Sequence, residues 1–156
     1  MTPSPHGLYL VSDSYFARFP SKYWMWNKGE NRPHYFALQD KCGLYWMIPL
    51  SSNASGYTAK IQKEEQKRGA GNCLFYHIGR VYGRPNAFII SGAFPVTEQY
   101  VLRPYTFGSL PYIIQDQKLI AALRSKLNRY IRLLEQRQLR DNNRILQIRD
   151  ELLKQI

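Results

Sequence analysis

The sequence predicts an α+β domain in which a small antiparallel sheet or barrel is followed by a C-terminal pair of helices. Three observations predict it. Before residue 112, short apolar and aromatic runs alternate with Gly, Pro, Asn and Ser, the pattern of an antiparallel sheet. After residue 112 the apolar period changes from two to between three and four, as in amphipathic helices. The 156 residues, 44% of them hydrophobic, suit one domain with one packed core and exclude wholesale disorder. We therefore read 1–156 as a single domain, with 1–112 mainly β and 113–156 a helical tail.

The candidate strands are Gly7–Ser12, His34–Asp40, Gly43–Leu50, Cys73–Val81, Asn86–Ser91 and Glu98–Pro104. Ser12 or Asp13 can cap a short helix over Ser14–Phe19. Gln39-Asp40-Lys41-Cys42-Gly43 and Tyr82-Gly83-Arg84-Pro85 have the composition of hairpin turns. Between Ser51 and Asn72 the chain reads as a long functional loop containing the charged run Lys60–Arg68. In the tail, Ile120, Leu123, Leu127, Ile131 and Leu134 form one helical stripe, and Ile145, Ile148, Leu152 and Ile156 form a second. Arg140-Asp141-Asn142-Asn143 interrupts the pattern, so the tail is a helical hairpin or one long bent helix.

Twenty-two Lys and Arg against eleven Asp and Glu give a formal charge of +11, which points to a polyanionic partner. The excess is not a detachable tail: 1–117 carries +5 and 118–156 carries +6. The longest apolar runs are too short for a membrane span, and no basic amphipathic helix with clustered Trp and Phe is present, which favours nucleic acid over a lipid surface. Leu8–Val11 is too short for a signal peptide, and Cys42 and Cys73 read as reduced thiols, so the expected compartment is the cytoplasm. The basic residues expected to contact RNA are Arg32, Lys63, Lys67, Arg68, Arg80, Arg84, Arg124, Arg132 and Arg140, with Arg144 and Arg149 adding charge to the tail.

No metal or cofactor motif occurs. His6, His34, His77 and the two cysteines lack metal-ligand spacing, and no Gly-rich phosphate loop, GxSxG or HExxH is present. Few acidic residues are available for a two-metal nuclease. RNA offers a metal-free route, because its own 2′-hydroxyl can attack the adjacent phosphorus. The protein then supplies a base, donors or cations for the phosphorane, and an acid for the leaving 5′ oxygen.

Three segments in order carry a family resemblance: Asn31-Arg32-Pro33-His34-Tyr35-Phe36, then Tyr45-Trp46-Met47-Ile48-Pro49-Leu50-Ser51-Ser52, then Ala87-Phe88-Ile89-Ile90-Ser91-Gly92-Ala93-Phe94-Pro95-Val96. Together with the helical tail they resemble the ToxN/AbiQ-type toxins of type III toxin–antitoxin systems. The resemblance implies a partly closed MazF/PemK-like β-barrel and metal-independent, sequence-specific RNA cleavage to a 2′,3′-cyclic phosphate. It also implies inhibition by a small structured repeat RNA, held in a cyclic hetero-oligomer. Its catalytic positions fall on His34, Ser51, Ser52 and Lys60. Here Asn53–Ala59 separate the serine pair from Lys60, where the family's lysine follows the pair more closely.

Each position also has a plain structural reading. Ser51-Ser52 can end a strand through side-chain-to-backbone bonds, His34 can pack within the sheet, and Lys60 can be one solvated charge among many. His77 can be a core or groove residue, and Trp24 and Trp26 a core plug. A MazF-like ribonuclease with a protein antidote and a non-catalytic RNA-binding module are the alternative functions.

Overall fold

Ser12 both ends the first strand and starts the first helix. In the computed structural model, which describes residues 1–155, its hydroxyl accepts the Ser14 amide proton at 3.2 Å. This bond caps α1 (Asp13–Arg18) directly after β1 (Leu8–Val11). Next come β2 (His34–Gln39) and β3 (Tyr45–Ser51), joined by a turn that the Asp40 carboxylate organises. It accepts from the amides of Cys42 at 2.9 Å and Leu44 at 3.0 Å. After α2 (Ala54–Arg68), β4 (Tyr76–Val81) and β5 (Arg84–Ile89) form a hairpin. Its two turn residues, Tyr82 and Gly83, have φ of 56° and 70°, the double left-handed geometry of a type I′ turn. Strands β6 (Phe94–Val96) and β7 (Val101–Pro104) follow, and then a small hairpin of β8 (Thr106–Phe107) and β9 (Leu110–Pro111). The chain continues as α3 (Gln117–Glu135) and α4 (Ile145–Leu153).

The main sheet has seven antiparallel strands in the order β4-β5-β3-β2-β1-β7, with β6 paired to β3. It is open, since β4 and β7 at its two ends do not pair with each other. β3 organises it. Tyr45–Met47 are flanked by β2 and β6, whereas Leu50 and Ser51 pair with Phe88 and Ala87 of β5. Six of its seven residues are buried, which explains why Tyr45–Leu50 reads as a continuous apolar run.

The predicted helical stripes face this sheet. Ile120, Leu123, Leu127 and Leu134 of α3 and Ile145, Ile148 and Leu152 of α4 are buried in one core with Phe88, Ile90 and Phe94. Each such aliphatic side chain contributes about 1.5–3 kcal/mol. Ile131 is only half-buried, and Ile156 lies outside the described residues. The tail is two helices and not one bent helix. Arg137 and Arg144 have φ of 58° and 57°, incompatible with a continuous helix, and the Asp141 carboxylate caps α4 through the Ile145 and Leu146 amides. On β4, a Cβ at Gly79 would lie 2.7 Å from the Leu119 methyls and 2.9 Å from Phe88, so the glycine lets α3 approach the sheet closely.

Three expectations need correction. The segment 51–72 is largely a 15-residue helix, not an irregular loop. Glu98–Tyr100 is a 3₁₀ turn that delays the strand to Val101, because the Tyr100 amide bonds back to the Thr97 carbonyl at 3.1 Å. Cys73–Phe75 precede β4 without joining it. Among the described residues, no helix is long and apolar enough to cross a membrane.

Candidate active site

The corner where β3 leaves the sheet and α2 begins is built by a buried guanidinium. Arg32 donates from Nε to the Trp26 carbonyl at 2.6 Å and from Nη1 to the Leu50 carbonyl at 2.7 Å. It thereby ties the segment before β2 to the last buried residue of β3. Ser51 and Ser52 follow. The Ser51 hydroxyl accepts the Asn53 amide proton at 3.2 Å, and the Asn53 side chain accepts from Gly56 at 3.3 Å, capping α2. Ser52 is exposed.

The first turns of α2 then present Tyr57 and Lys60 toward β4. The Tyr57 and Tyr76 ring centroids lie 5.1 Å apart, and the Lys60 ammonium sits 4.7 Å from the first and 5.7 Å from the second. Both are cation–π distances. Burial raises the Tyr76 phenol above its ordinary pKa, and the neighbouring Tyr57 phenol adds to the shift. Tyr76 therefore stays protonated at neutral pH and can donate. Tyr57 also lies near Arg32, whose pKa burial lowers and the phenol raises. Behind the strand, the Lys126 ammonium donates to the Tyr76 carbonyl at 3.5 Å. Burial, with Lys126 nearby, holds His77 down to about 4.

The β3–α2 corner thus carries two serine hydroxyls, and the α2 face that follows it carries the Lys60 ammonium opposite the protonated Tyr76 phenol. Those are the groups a phosphorane and a departing alkoxide require.

The other expected residues are distributed differently. His34 begins β2, two strand positions from the Arg32 clip, but its ring is buried among Phe16 and Phe94 and is 1% exposed. Burial and the Arg32 charge depress it to about 3, although the Arg32 backbone partly opposes this. It is a neutral ring at physiological pH and does not join the Lys60 cluster at the surface. Arg32 is likewise buried and bonded to two carbonyls, so its fork points into the fold. Lys63, Lys67 and Arg68 lie exposed along α2, with Arg68 paired to Glu64 at 3.2 Å. Arg80 and Arg84 flank the exposed β4–β5 turn, where Arg80 donates to the Gly83 carbonyl at 3.0 Å.

Arg124 and Arg132 are exposed on α3. Arg124 faces a groove of about 790 Å³ between α3 and the β2–β3 hairpin, together with His6, Trp46 and Arg149. Arg149 is committed to Glu135 at 3.0 Å. Arg140 stands apart from these. It lies in the α3–α4 connection beside Tyr76 and Ser91, so the tail is not wholly outside the candidate site. Among the described residues, no three His, Cys, Asp or Glu side chains converge as a metal site.

Tyr57, Tyr76 and Lys126 join the site without any expectation from the sequence. The i, i+3 spacing of Tyr57 and Lys60 indicates a shared face only once Ala54–Arg68 is known to be a helix. Nothing in the sequence signals the approach of Tyr76 and Lys126. No protein-family model matches the chain, and a comparison with curated proteins finds no match either.

Proposed function

We propose that the chain is a metal-independent endoribonuclease toxin of the ToxN/AbiQ kind, acting in the cytoplasm and held inactive by a small structured repeat RNA in a cyclic hetero-oligomer. The observation that carries this reading is the Lys60 ammonium poised over Tyr57 and Tyr76, on the helix that Ser51 and Ser52 introduce. It brings the lysine of the family resemblance over the rings of two tyrosines despite the seven intervening residues. The reading of the sheet as a partly closed MazF/PemK-like barrel goes with this proposal. It is supported by the way β3 changes partners along its length.

In the proposed reaction, the substrate 2′-oxygen attacks the adjacent phosphorus and the bond to the 5′ oxygen breaks. The product ends are a 2′,3′-cyclic phosphate and a 5′-hydroxyl. With His34 buried in the interior, water and not a side chain takes the 2′-hydroxyl proton, while the Tyr76 phenol protonates the leaving oxygen and regains its proton from water. Lys60 and the Ser51–Ser52 hydroxyls stabilise the charge on the phosphorane. The net charge of +11 suits a phosphate-rich substrate and inhibitor.

The test is cleavage of single-stranded RNA by the purified chain in excess EDTA, with analysis of the new ends. Cyclic phosphate ends support the mechanism. Complete loss of cutting on chelation, restored by Mg²⁺, contradicts it.

A further inference from the structure

Next to the Lys60 cluster lies a separate pocket of about 420 Å³, within the size range of small-ligand sites. Its walls come from distant parts of the chain, among them Tyr76 at the start of β4 with Phe75 just before it, Tyr23 from the α1–β2 connection, and Arg140 from the α3–α4 connection. Tyr76 is shared, since it also faces Lys60. We infer that this pocket takes one unpaired nucleobase of the RNA, adjacent to the phosphate held at Lys60, with Arg140 contacting the edge of that base. The inference rests on the endoribonuclease reading and specifies which residues select the cutting site.

Several observations converge on a base. Aromatic faces are the usual platform for unpaired bases, and Tyr23 is half exposed at the rim, with the Lys22 ammonium 5.3 Å from its ring centre. The connection bearing Arg140 is held in place. Asp141 accepts from the Ile145 and Leu146 amides, and the Ser21 hydroxyl bonds the Asn143 side chain at 2.6 Å, fastening this connection to the Tyr23 segment. The Tyr130 phenol floors the site, donating to the Ser91 carbonyl at 3.3 Å. Among the described residues, Arg140 itself makes no ion pair or side-chain hydrogen bond, so its five donors remain available. An unbonded guanidinium at the mouth of an aromatic pocket suits the acceptor edge of a base. A duplex would keep its bases stacked and withheld, so the pocket selects single strands.

The test compares the parent with Arg140→Ala, Tyr23→Ala and, as a control on β7 at the far end of the sheet from β4, Arg103→Ala. Two measurements are made: the cutting sites on a mixed single-stranded RNA, and the affinity for a pool of fully 2′-O-methylated hexamers, which cannot be cut. Arg140→Ala is expected to lose the base preference at one position flanking the cut. Tyr23→Ala is expected to weaken hexamer binding roughly tenfold or more, a typical effect of removing one stacking ring, with Arg103→Ala changing it far less. If Arg140→Ala and Tyr23→Ala keep the parental sites and affinity, the pocket assignment is overturned and the endoribonuclease reading survives. A parent that cuts no RNA but binds hexamers through Arg140 and Tyr23 upholds the base pocket and overturns the endoribonuclease reading. A parent that does neither overturns both.

Discussion

Lys60 holds its ammonium 4.7 Å from the centre of the Tyr57 ring, one turn back along α2, and 5.7 Å from that of Tyr76 on β4. An exposed cation–π contact is worth only about 0.5–1 kcal/mol, so Lys60 is not needed to hold the fold together. Lys60→Ala is therefore expected to lower kcat roughly 10²-fold or more while unfolding at nearly the parental denaturant concentration. Ser52→Ala should act similarly, and binding of an uncleavable RNA should change much less in both. Steady-state kinetics beside equilibrium unfolding checks this.

Arg32 should behave in the opposite way. Its guanidinium bridges the Trp26 and Leu50 carbonyls, and truncation leaves both without that partner at a buried site. Arg32→Ala is expected to cost about 3 kcal/mol in urea unfolding. Arg32→Lys should recover little, because one ammonium cannot reproduce the two-pronged fork. A stability loss below about 0.5 kcal/mol in Arg32→Ala would contradict the clip.

Acid should destabilise the fold through the buried His34 and the partly buried His77. His34 is depressed from 6.5 to about 3 and His77 to about 4, both chiefly by burial. Between those values and 6.5 the unfolded chain binds protons that the folded chain refuses. The stability these rings contribute is thus full above about pH 6.5 and is lost as pH falls toward 3–4. Thermal unfolding of the parent and of His34→Leu across pH 4–7 tests it, and the substituted protein should show the shallower slope. If His34→Leu shows the same slope, the acid sensitivity has another source.

The sheet and the tail are legible in the sequence because their side chains divide between inside and outside. Tyr45–Leu50 is apolar on both faces because β3 is buried on both, and Leu123, Leu127 and Leu134 repeat at helical spacing because one face of α3 meets the core. α2 escapes such a reading for the same reason in reverse. None of its 15 residues is buried, so it shows no apolar period, although Lys60–Arg68 consists almost wholly of good helix formers between the Asn53 cap and Gly69. Of the candidate site, Ser51, Ser52 and Lys60 are visible by resemblance. His34 adjoins the Arg32 turn in the sequence, yet its ring packs against Phe16 and Phe94 in the interior. Tyr76 and Arg140 meet only through tertiary packing, which no local pattern records.

The exposed tail cations should govern salt dependence more than chemistry. Arg124, Arg132 and Arg144 are all exposed, and among the described residues none of the three forms an ion pair. If each neutralises one phosphate of a bound RNA, replacing all three with Ala should flatten the log–log salt slope by about 2, at about 0.7 per phosphate. Cleavage of a short substrate at low salt should remain within a few-fold of the parent. An unchanged slope for a long structured RNA would place its binding surface elsewhere.

The most direct test of the proposed reaction is to remove the nucleophile from the substrate. An oligoribonucleotide carrying its mapped cutting site is prepared with a single 2′-deoxy residue on the 5′ side of that site, and both versions are incubated with the chain in EDTA. The proposed chemistry predicts cutting of the all-ribose strand to a 2′,3′-cyclic phosphate and no cutting of the deoxy version at that bond, with binding of the two nearly equal. Cleavage of the deoxy bond at a comparable rate would contradict it, because the attacking oxygen would then have to come from water or from the protein.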